Sequence, residues 1–286
     1  MTTYNPPPPK IKQRKVMPFF GLSLGISVFS LSLLVFLPFL MMAITTYNMG
    51  FSAIIKTISE PQVLHAIKLS LQMAGLAALT NLIFGTLVAW VLVRYEFFGR
   101  SFVNALVDLP FALPTAVTGI ALATLYAPNG LFGSLFAKFG IKIAFTPAGI
   151  WLALVVVSFP FIVRAVQPVL ADLSVEFEEA AAVMGAGRIK TFFAVILPQI
   201  APAMLMGVGM AFARATGEYG SVIFIAGNIP MKSEILPLII ISKLEHFDVA
   251  GASCVALFML VLSLVVLTAI NLANWHLSKK LGAKTN

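Results

Sequence analysis

Six apolar stretches, each long enough to cross a lipid bilayer, constrain the fold of this 286-residue chain more than any other feature. Hydrophobic residues make up 59% of the sequence and charged residues 10%, and the mean hydropathy of +0.98 lies outside the ordinary range of soluble proteins. A transmembrane helix needs about 20 mostly apolar residues. The sequence therefore predicts an all-α membrane protein with six transmembrane helices, at Phe19–Tyr47, Ala66–Val93, Val103–Tyr126, Ala148–Leu170, Ile200–Ala226 and Gly251–Trp275.

The basic residues are distributed unevenly between the two sides that six spans create. Twelve lie on the side that holds both termini, namely Lys10, Lys12, Arg14, Lys15, Arg94, Arg100, Arg164, Arg188, Lys190, Lys279, Lys280 and Lys284. Six lie on the other side, namely Lys56, Lys68, Lys138, Lys142, Lys232 and Lys243. Because cytoplasmic segments carry the excess of lysine and arginine, both termini are predicted to be cytoplasmic. The net charge of +8 thus indicates topology and not a nucleic-acid partner.

The sequence predicts one membrane domain at residues 19–275, because no region outside the spans is large enough to bury a core of its own. Residues 1–18 are predicted to be a disordered cytoplasmic segment, in which Pro6–Pro9 form an extended spacer or a ligand for a proline-binding domain. The first span exceeds the ~7–15-residue core of a signal peptide, so we expect it to be retained. Residues 276–286 are predicted to form a cytoplasmic tail. The single cysteine, Cys254, excludes an intrachain disulfide.

Two connections on the outer side are apolar but too short to cross the bilayer. From Ala127 to Pro147, apolar residues recur at helical spacing between glycines, which predicts a short amphipathic helix at the outer interface. From Gly227 to Ala250, the apolar run Pro237–Ile241 predicts a re-entrant or interfacial helix that lines the outer mouth.

The polar loop at residues 171–199 joins the fourth span to the fifth and has the composition of a docking surface for another protein. A helix is predicted to begin near Ser174, whose side chain is suited to cap it. Negative charge in the first turns of that helix complements its N-terminus. The acidic residues that supply this charge are Asp172, Glu176, Glu178 and Glu179. The alternative is an ordinary cytoplasmic loop with a solvated acidic helix.

Small residues shape the remainder of the same loop. Ala180–Ala182 give the helix a face without bulk, which lets a partner approach closely. Gly185 and Gly187 are predicted to end the helix and turn the chain sharply. A second short helix is expected at Arg188–Leu197, after which Pro198 starts the run into the fifth span.

The spacing within this loop resembles that of the loop by which permease subunits of ABC importers engage their ATPase. That pattern is Glu-Ala-Ala, three residues, glycine, nine residues, isoleucine, one residue and Leu-Pro, and it is matched here with Val195 in the isoleucine position. The resemblance implies that Glu179 makes a charged contact with the ATPase and that Gly185 permits the turn. The residues that it assigns to coupling are Glu178, Glu179, Ala180, Ala181, Gly185, Leu197 and Pro198.

The chain itself is not expected to be an enzyme. It contains no Gly-Lys dipeptide, so the phosphate-binding P-loop pattern is absent from the sequence, and none of its three histidines lies in the middle of a span or in an HExxH spacing. We therefore expect no catalytic residue, no metal site and no cofactor bound by this chain, and ATP with Mg²⁺ to be used by a partner ATPase. The docking loop argues against the other alternative, an ion-coupled secondary transporter.

Arg214 and Glu218 lie four residues apart in the fifth predicted span, near its middle and on one helix face. Ionisable residues at membrane depth are costly, so both are expected to face protein or water. They are interpreted as a structural or gating ion pair, or alternatively as part of an anion path.

The third predicted span contains two prolines four residues apart, which are expected to break the helix. The break either lines a cavity or is a simple kink. The residues assigned to a path or gate here are Asp108, Pro110, Pro114 and Thr115. Arg164, toward the cytoplasmic end of the fourth span, is expected to extend its side chain to the interface.

Four further runs carry a more specific resemblance. They are DLPFALPTAVTG (108–119), FPFIVRAVQPVL (159–170), ARATGEYGSVIFIAGN (213–228) and KSEILPLIIISKLEHFD (232–248). Together they resemble the T-type permease subunit of bacterial sulfate/thiosulfate importers. That resemblance implies the type I ABC importer permease fold in the bacterial inner membrane. It also implies a heterodimer with a W-type permease, two copies of an ABC ATPase and a periplasmic sulfate/thiosulfate-binding protein. A molybdate or tungstate permease, and a homodimer, are the alternatives.

Overall fold

The structure is a computed structural model that describes residues 20–282, with side chains described for residues 20–276. The proline-rich segment predicted at residues 1–18 lies outside this range. All regular elements within it are helical. In chain order they are α1 Phe20–Leu31, α2 Leu37–Asn48, α3 Phe51–Ile58, α4 Pro61–Arg94, α5 Arg100–Ala112, α6 Thr115–Tyr126, α7 Leu131–Ala137, α8 Pro147–Asp172, α9 Glu176–Val183, α10 Arg188–Thr191, α11 Leu197–Thr216, α12 Val222–Ala226, α13 Leu236–Glu245 and α14 Val249–Gly282.

Among the described residues, five helical runs are long and apolar enough to cross a membrane. They are Phe20–Asn48, Pro61–Arg94, Pro147–Asp172, Arg188–Thr216 and Val249–His276. The predicted third span is two helices, α5 and α6, which meet at a bend of 110° and make a sixth span only when counted together. The all-α membrane class is thus confirmed, with five continuous spans and one broken one.

The break between α5 and α6 follows from Pro114. A residue that precedes proline is disfavoured in the helical region, and Leu113 is accordingly extended, with φ −85° and ψ 136°. The amide of Leu113 still donates to the carbonyl oxygen of Leu109 at 3.1 Å, which closes α5. Pro114 then precedes the first residue of α6. The ring of Phe111 packs edge-on against Phe161, near the middle of α8, which places the break well inside the span.

The fifth span differs from its predicted bounds of 200–226. Its helix begins at Arg188 and ends at Thr216, so the expected second short helix at Arg188–Leu197 is the first part of the span itself. The predicted restart at Pro198 was wrong because the turn Phe192–Ile196 is π-helical. Proline has no amide hydrogen and its ring crowds the carbonyl four residues earlier, and a wider turn just before it lets the helix continue. The same arrangement precedes Pro38, after the π-helical turn Ser32–Phe36.

Helices α4, α8 and α11 form the packed core. More than half (56%) of the most apolar stretch of α8 is buried, against 39% for α4 and none for the first span. Ile162 of α8 is fully buried between two glycines: a Cβ at Gly85 would lie 2.9 Å from its Cβ, and one at Gly207 would lie 3.1 Å from its Cα. The buried amide of Asn81 donates to Ser158 Oγ at 2.9 Å, a polar contact that fixes α4 against α8.

Helices α7, α13 and α14 bear on the expectations for the connections and the tail. The predicted short helix after Ala127 is present as α7. The helix predicted as re-entrant or interfacial is present as α13, and its Leu236, Leu238 and Ile239 are at most 3% exposed, which favours the re-entrant alternative. Helix α14 continues to Gly282, so the first part of the predicted tail at 276–286 extends the last helix.

The glycine contact with Ile162 gives a direct test of the core. Gly85→Leu should destabilise the chain by about 1–3 kcal/mol through overpacking against α8. Gly75→Leu, in the same helix with open space at its Cβ position, should change stability by less than about 0.5 kcal/mol. Thermal unfolding of the detergent-solubilised chain measures both. Equal melting temperatures for the two variants would contradict this packing.

Candidate functional site

The helix of the docking loop, α9, begins as its sequence predicts. Ser174 Oγ accepts a hydrogen bond from the amide of Glu176 at 3.2 Å, and three acidic residues occupy the first turn. Those residues are Glu176, Glu178 and Glu179. Asp172 is not among them, because it is the last residue of α8 and precedes the break in the chain.

Gly185 ends α9 in a Schellman motif. The amide of Gly185 donates to the carbonyl of Ala182, and the amide of Ala186 donates to that of Ala181, both at 2.9 Å. Gly185 has a φ of +78°, a conformation that side chains with a Cβ disfavour. Gly187 has an ordinary φ of −69° and precedes α10, so of the two glycines only Gly185 serves the turn as predicted.

The tip of the loop exposes three large apolar side chains, Val183 (89% exposed), Met184 (80%) and Ile189 (76%), which we term the docking patch. Glu179 is exposed beside them and has no ion pair among the described residues. Ala180 is exposed, whereas Ala181 is 2% exposed and faces the loop interior. An apolar patch bordered by a carboxylate is typical of a surface that binds another protein.

Glu178 has a different environment from Glu179. Its carboxylate lies 2.9 Å from Nε of Arg94, the last residue of α4. The motif pattern does not include Arg94, which the sequence marks only as one of twelve basic residues on one side. Leu197 and Pro198 are half-buried and begin α11, which continues the fifth span that starts at Arg188.

Asp108 of α5 is held by Arg164 of α8. Arg164 Nε donates to Asp108 Oδ1 at 2.7 Å, and its other nitrogens donate to Asn104, to Gln167 Oε1 and to Asp108 Oδ2. Four of its five hydrogen bonds go to α5, and the fifth goes to Gln167 of α8 itself. The extension of Arg164 to the interface stays a prediction. Asn104 and Gln167 were missed, because neutral amides inside a span give no charge signal.

The segment that follows the break in the third span meets the turn that follows α11, and Thr115 is the predicted path-or-gate residue that makes this contact. A Cβ at Gly119 would lie 2.7 Å from Cα of Ser221, and one at Gly220 would overlap the hydroxyl of Thr115. The break before Thr115 therefore packs against the non-helical turn at 217–221, and we call this contact the junction. Neither segment could approach the other so closely with larger residues in place of the glycines.

Arg214 and Glu218 form the expected ion pair, with Nη1 and Oε2 2.6 Å apart, but not in the middle of a helix. Helix α11 ends at Thr216, so Arg214 lies in its last turn and Glu218 lies beyond it. Glu218 is 2% exposed, and its Oε1 accepts hydrogen bonds from the amide and hydroxyl of Ser221, at 2.8 and 2.9 Å. The carboxylate thus ties the end of α11 to the start of α12.

Residues 81–281 match the family described as the binding-protein-dependent transport system inner membrane component. The chain belongs to this family. It is 45% identical to the sulfate transport system permease protein CysT of Escherichia coli strain K12, over 91% of this chain and 94% of that protein. It is 44% identical to the CysT of Synechococcus elongatus, over 86% of this chain and 88% of that protein.

Solved structures support the same fold at low sequence identity. A chain of a bacterial ABC transporter involved in the import of the polysaccharide alginate aligns with a TM-score of 0.74 and 16% identity, covering 90% of this chain and 94% of its own length. A chain of the MetNI methionine ABC transporter aligns with a TM-score of 0.55 and 18% identity, covering 78% of this chain and 99% of its own. The fold is therefore the all-helical permease fold of ABC importers.

Substitution of Arg214 tests the ion pair. Arg214→Met should destabilise the protein by about 1–3 kcal/mol, less than the 3–5 kcal/mol of a fully buried pair, because Ser221 still donates to the orphaned Glu218. The double variant Arg214→Met/Glu218→Gln should recover much of this loss, since no unpaired charge then remains. Thermal unfolding of wild-type, single and double variants measures the recovery. A double variant no more stable than the single one would contradict the pairing.

Proposed function

We propose that this chain is the T-type permease subunit of an ABC importer that moves sulfate, and thiosulfate, into the cytoplasm. The assignment of sulfate as the substrate rests on the 44–45% identity to sulfate permeases over 86–94% of both chains. The runs DLPFALPT (108–115) and FIAGN (224–228) followed by KSE (232–234) support sulfate, and the molybdate alternative is not favoured. The bacterial inner membrane is the proposed location, with both termini in the cytoplasm.

The docking loop supports an energy supply from a separate ATPase. Its exposed patch of Val183, Met184 and Ile189 offers apolar area to a groove on the partner, and Glu179 offers a charge for a basic residue there. The Schellman turn at Gly185 holds the patch in one shape, so that little conformational entropy is lost on docking. Two ATPase copies, which bind and hydrolyse ATP with Mg²⁺, would serve this chain and one W-type permease partner.

The substrate route is proposed to pass the junction. Sulfate is a strongly hydrated dianion, and its transfer into an apolar interior would be prohibitive. Arg214 and Arg164 are each neutralised by a carboxylate, Glu218 and Asp108, so neither pair is suited to hold a dianion tightly. Selectivity is therefore proposed to lie in a periplasmic sulfate/thiosulfate-binding protein. A bacterial alginate ABC transporter of similar fold has been solved in complex with a periplasmic protein that carries an alginate pentasaccharide.

Uptake of labelled sulfate by cells that lack this chain tests the proposed substrate. Return of the gene should restore uptake, and excess thiosulfate should block it while molybdate has little effect. If molybdate uptake is lost without the gene and restored with it, while sulfate uptake does not change, the assignment of sulfate is wrong. The assignment to the permease class would still hold.

A glycine pair in the docking loop tests the proposed coupling role. Gly185→Val should weaken ATPase retention on membranes, because a β-branched residue at φ +78° costs more than about 1–2 kcal/mol and opens the turn. Gly187→Val is the matched control, since its φ is −69° and the space at its Cβ position is open. Membrane insertion should be normal in both. Normal retention of the ATPase by Gly185→Val would contradict this account of the turn.

A further inference from the structure

Arg94 holds the docking loop at two points. Its Nη2 donates to the carbonyl of Leu173 at 3.0 Å, and its Nε lies 2.9 Å from a carboxylate oxygen of Glu178. Leu173 immediately follows α8, and Glu178 is in the first turn of α9. One guanidinium thus spans the short segment that separates the fourth span from the docking helix.

The contact is sheltered from solvent. The side chain of Arg94 is 13% exposed and that of Glu178 is 26% exposed. The guanidinium carbon lies 5.8 Å from the ring centre of Trp90, one turn earlier in α4, which adds a cation–π contact. Ion pairs of this kind are screened less by salt than exposed ones.

We propose that Arg94 is a positioning residue that fastens docking helix α9 to core helix α4, so that movement imposed on the loop is passed to the core. This inference rests on the proposed coupling to an ATPase. Without the fastening, α9 would rest on the start of the fifth span through buried Ala181 and would have no ion pair to α4. Its chain connections are the non-helical residues 173–175 on one side and the turn at 184–187 on the other. With it, α9 follows α4, which is interlocked with α8 at Gly85 and Ile162.

The assignment separates the roles of two neighbouring acidic residues. Glu179 is exposed beside the docking patch and is directed to the partner, whereas Glu178 is directed inward to Arg94. It also predicts that lysine cannot replace Arg94. A lysine ammonium is a point charge, and it lacks the planar fork that reaches a carbonyl and a carboxylate while lying over an indole ring.

The test compares Arg94→Gln, Arg94→Lys and wild type in the complete transporter, reconstituted in liposomes with its ATPase, partner permease and binding protein. Three quantities are measured: the ATPase retained, the rate of ATP hydrolysis, and sulfate imported per ATP. For both variants we expect normal retention, hydrolysis within about twofold of wild type, and roughly five- to tenfold less sulfate per ATP, the scale of typical coupling energies between sites.

Two further variants control the measurement. Lys190→Gln, an exposed basic residue of the same loop without an ion pair among the described residues, should leave sulfate per ATP unchanged. Arg94→Gln combined with Glu178→Gln should lose no more than Arg94→Gln, because both changes break the same contact.

The outcomes distinguish this inference from the proposed function. Wild-type chain that retains no ATPase, or imports no sulfate, would overturn the proposed function itself. Wild-type sulfate per ATP in Arg94→Gln would overturn the positioning role and leave the proposed function intact. Loss of ATPase retention in Arg94→Gln would also overturn it, since the residue would then shape the docking surface and not the transfer of movement.

Discussion

The rest of the structure depends on the close contact of α4 and α11 with α8, in which buried Ile162 lies between Gly85 and Gly207. Small residues bring three helices to a separation that larger side chains would prevent, and dense packing makes such a unit respond to force as a whole. The elements of the proposed function attach to this unit. Helix α5 is attached through Arg164, and the docking loop through Arg94.

Two prolines at the edges of that core have opposite effects on their helices. Pro114 forces a break and a 110° change of direction, whereas Pro198 is accommodated by a π-helical turn and the helix continues. The difference lies in the preceding residue, which is extended at Leu113 and helical at Leu197. The broken segment then packs at the junction, where polar backbone inside a span is tolerated because protein surrounds it.

The sequence was most informative where a signal is local. Hydropathy predicted the spans, and the spacing from Glu179 to Gly185 predicted a helix and turn that the structure contains. It was less informative where the partner is distant in sequence. The side-chain length of Arg164 predicted extension to the interface, but it could not predict the ion pair with Asp108, 56 residues away. The end of the fifth span at Thr216 could not be predicted either. The sequence is apolar both before and after the turn at 217–221, so hydropathy extends the span to Ala226.

The proposed substrate route past the junction requires that the junction open and close as the ATPase moves the docking loop. The most direct measurement is the labelling rate of Thr115→Cys, in a Cys254→Ala background, by a hydrophilic thiol reagent in the reconstituted transporter. Lys138→Cys, at an exposed position outside the membrane spans, serves as the reference. The account predicts a labelling rate at Thr115 that differs several-fold between the nucleotide-free and ATP-trapped states, while the reference rate is constant. A rate at Thr115 that is the same in both states would contradict it.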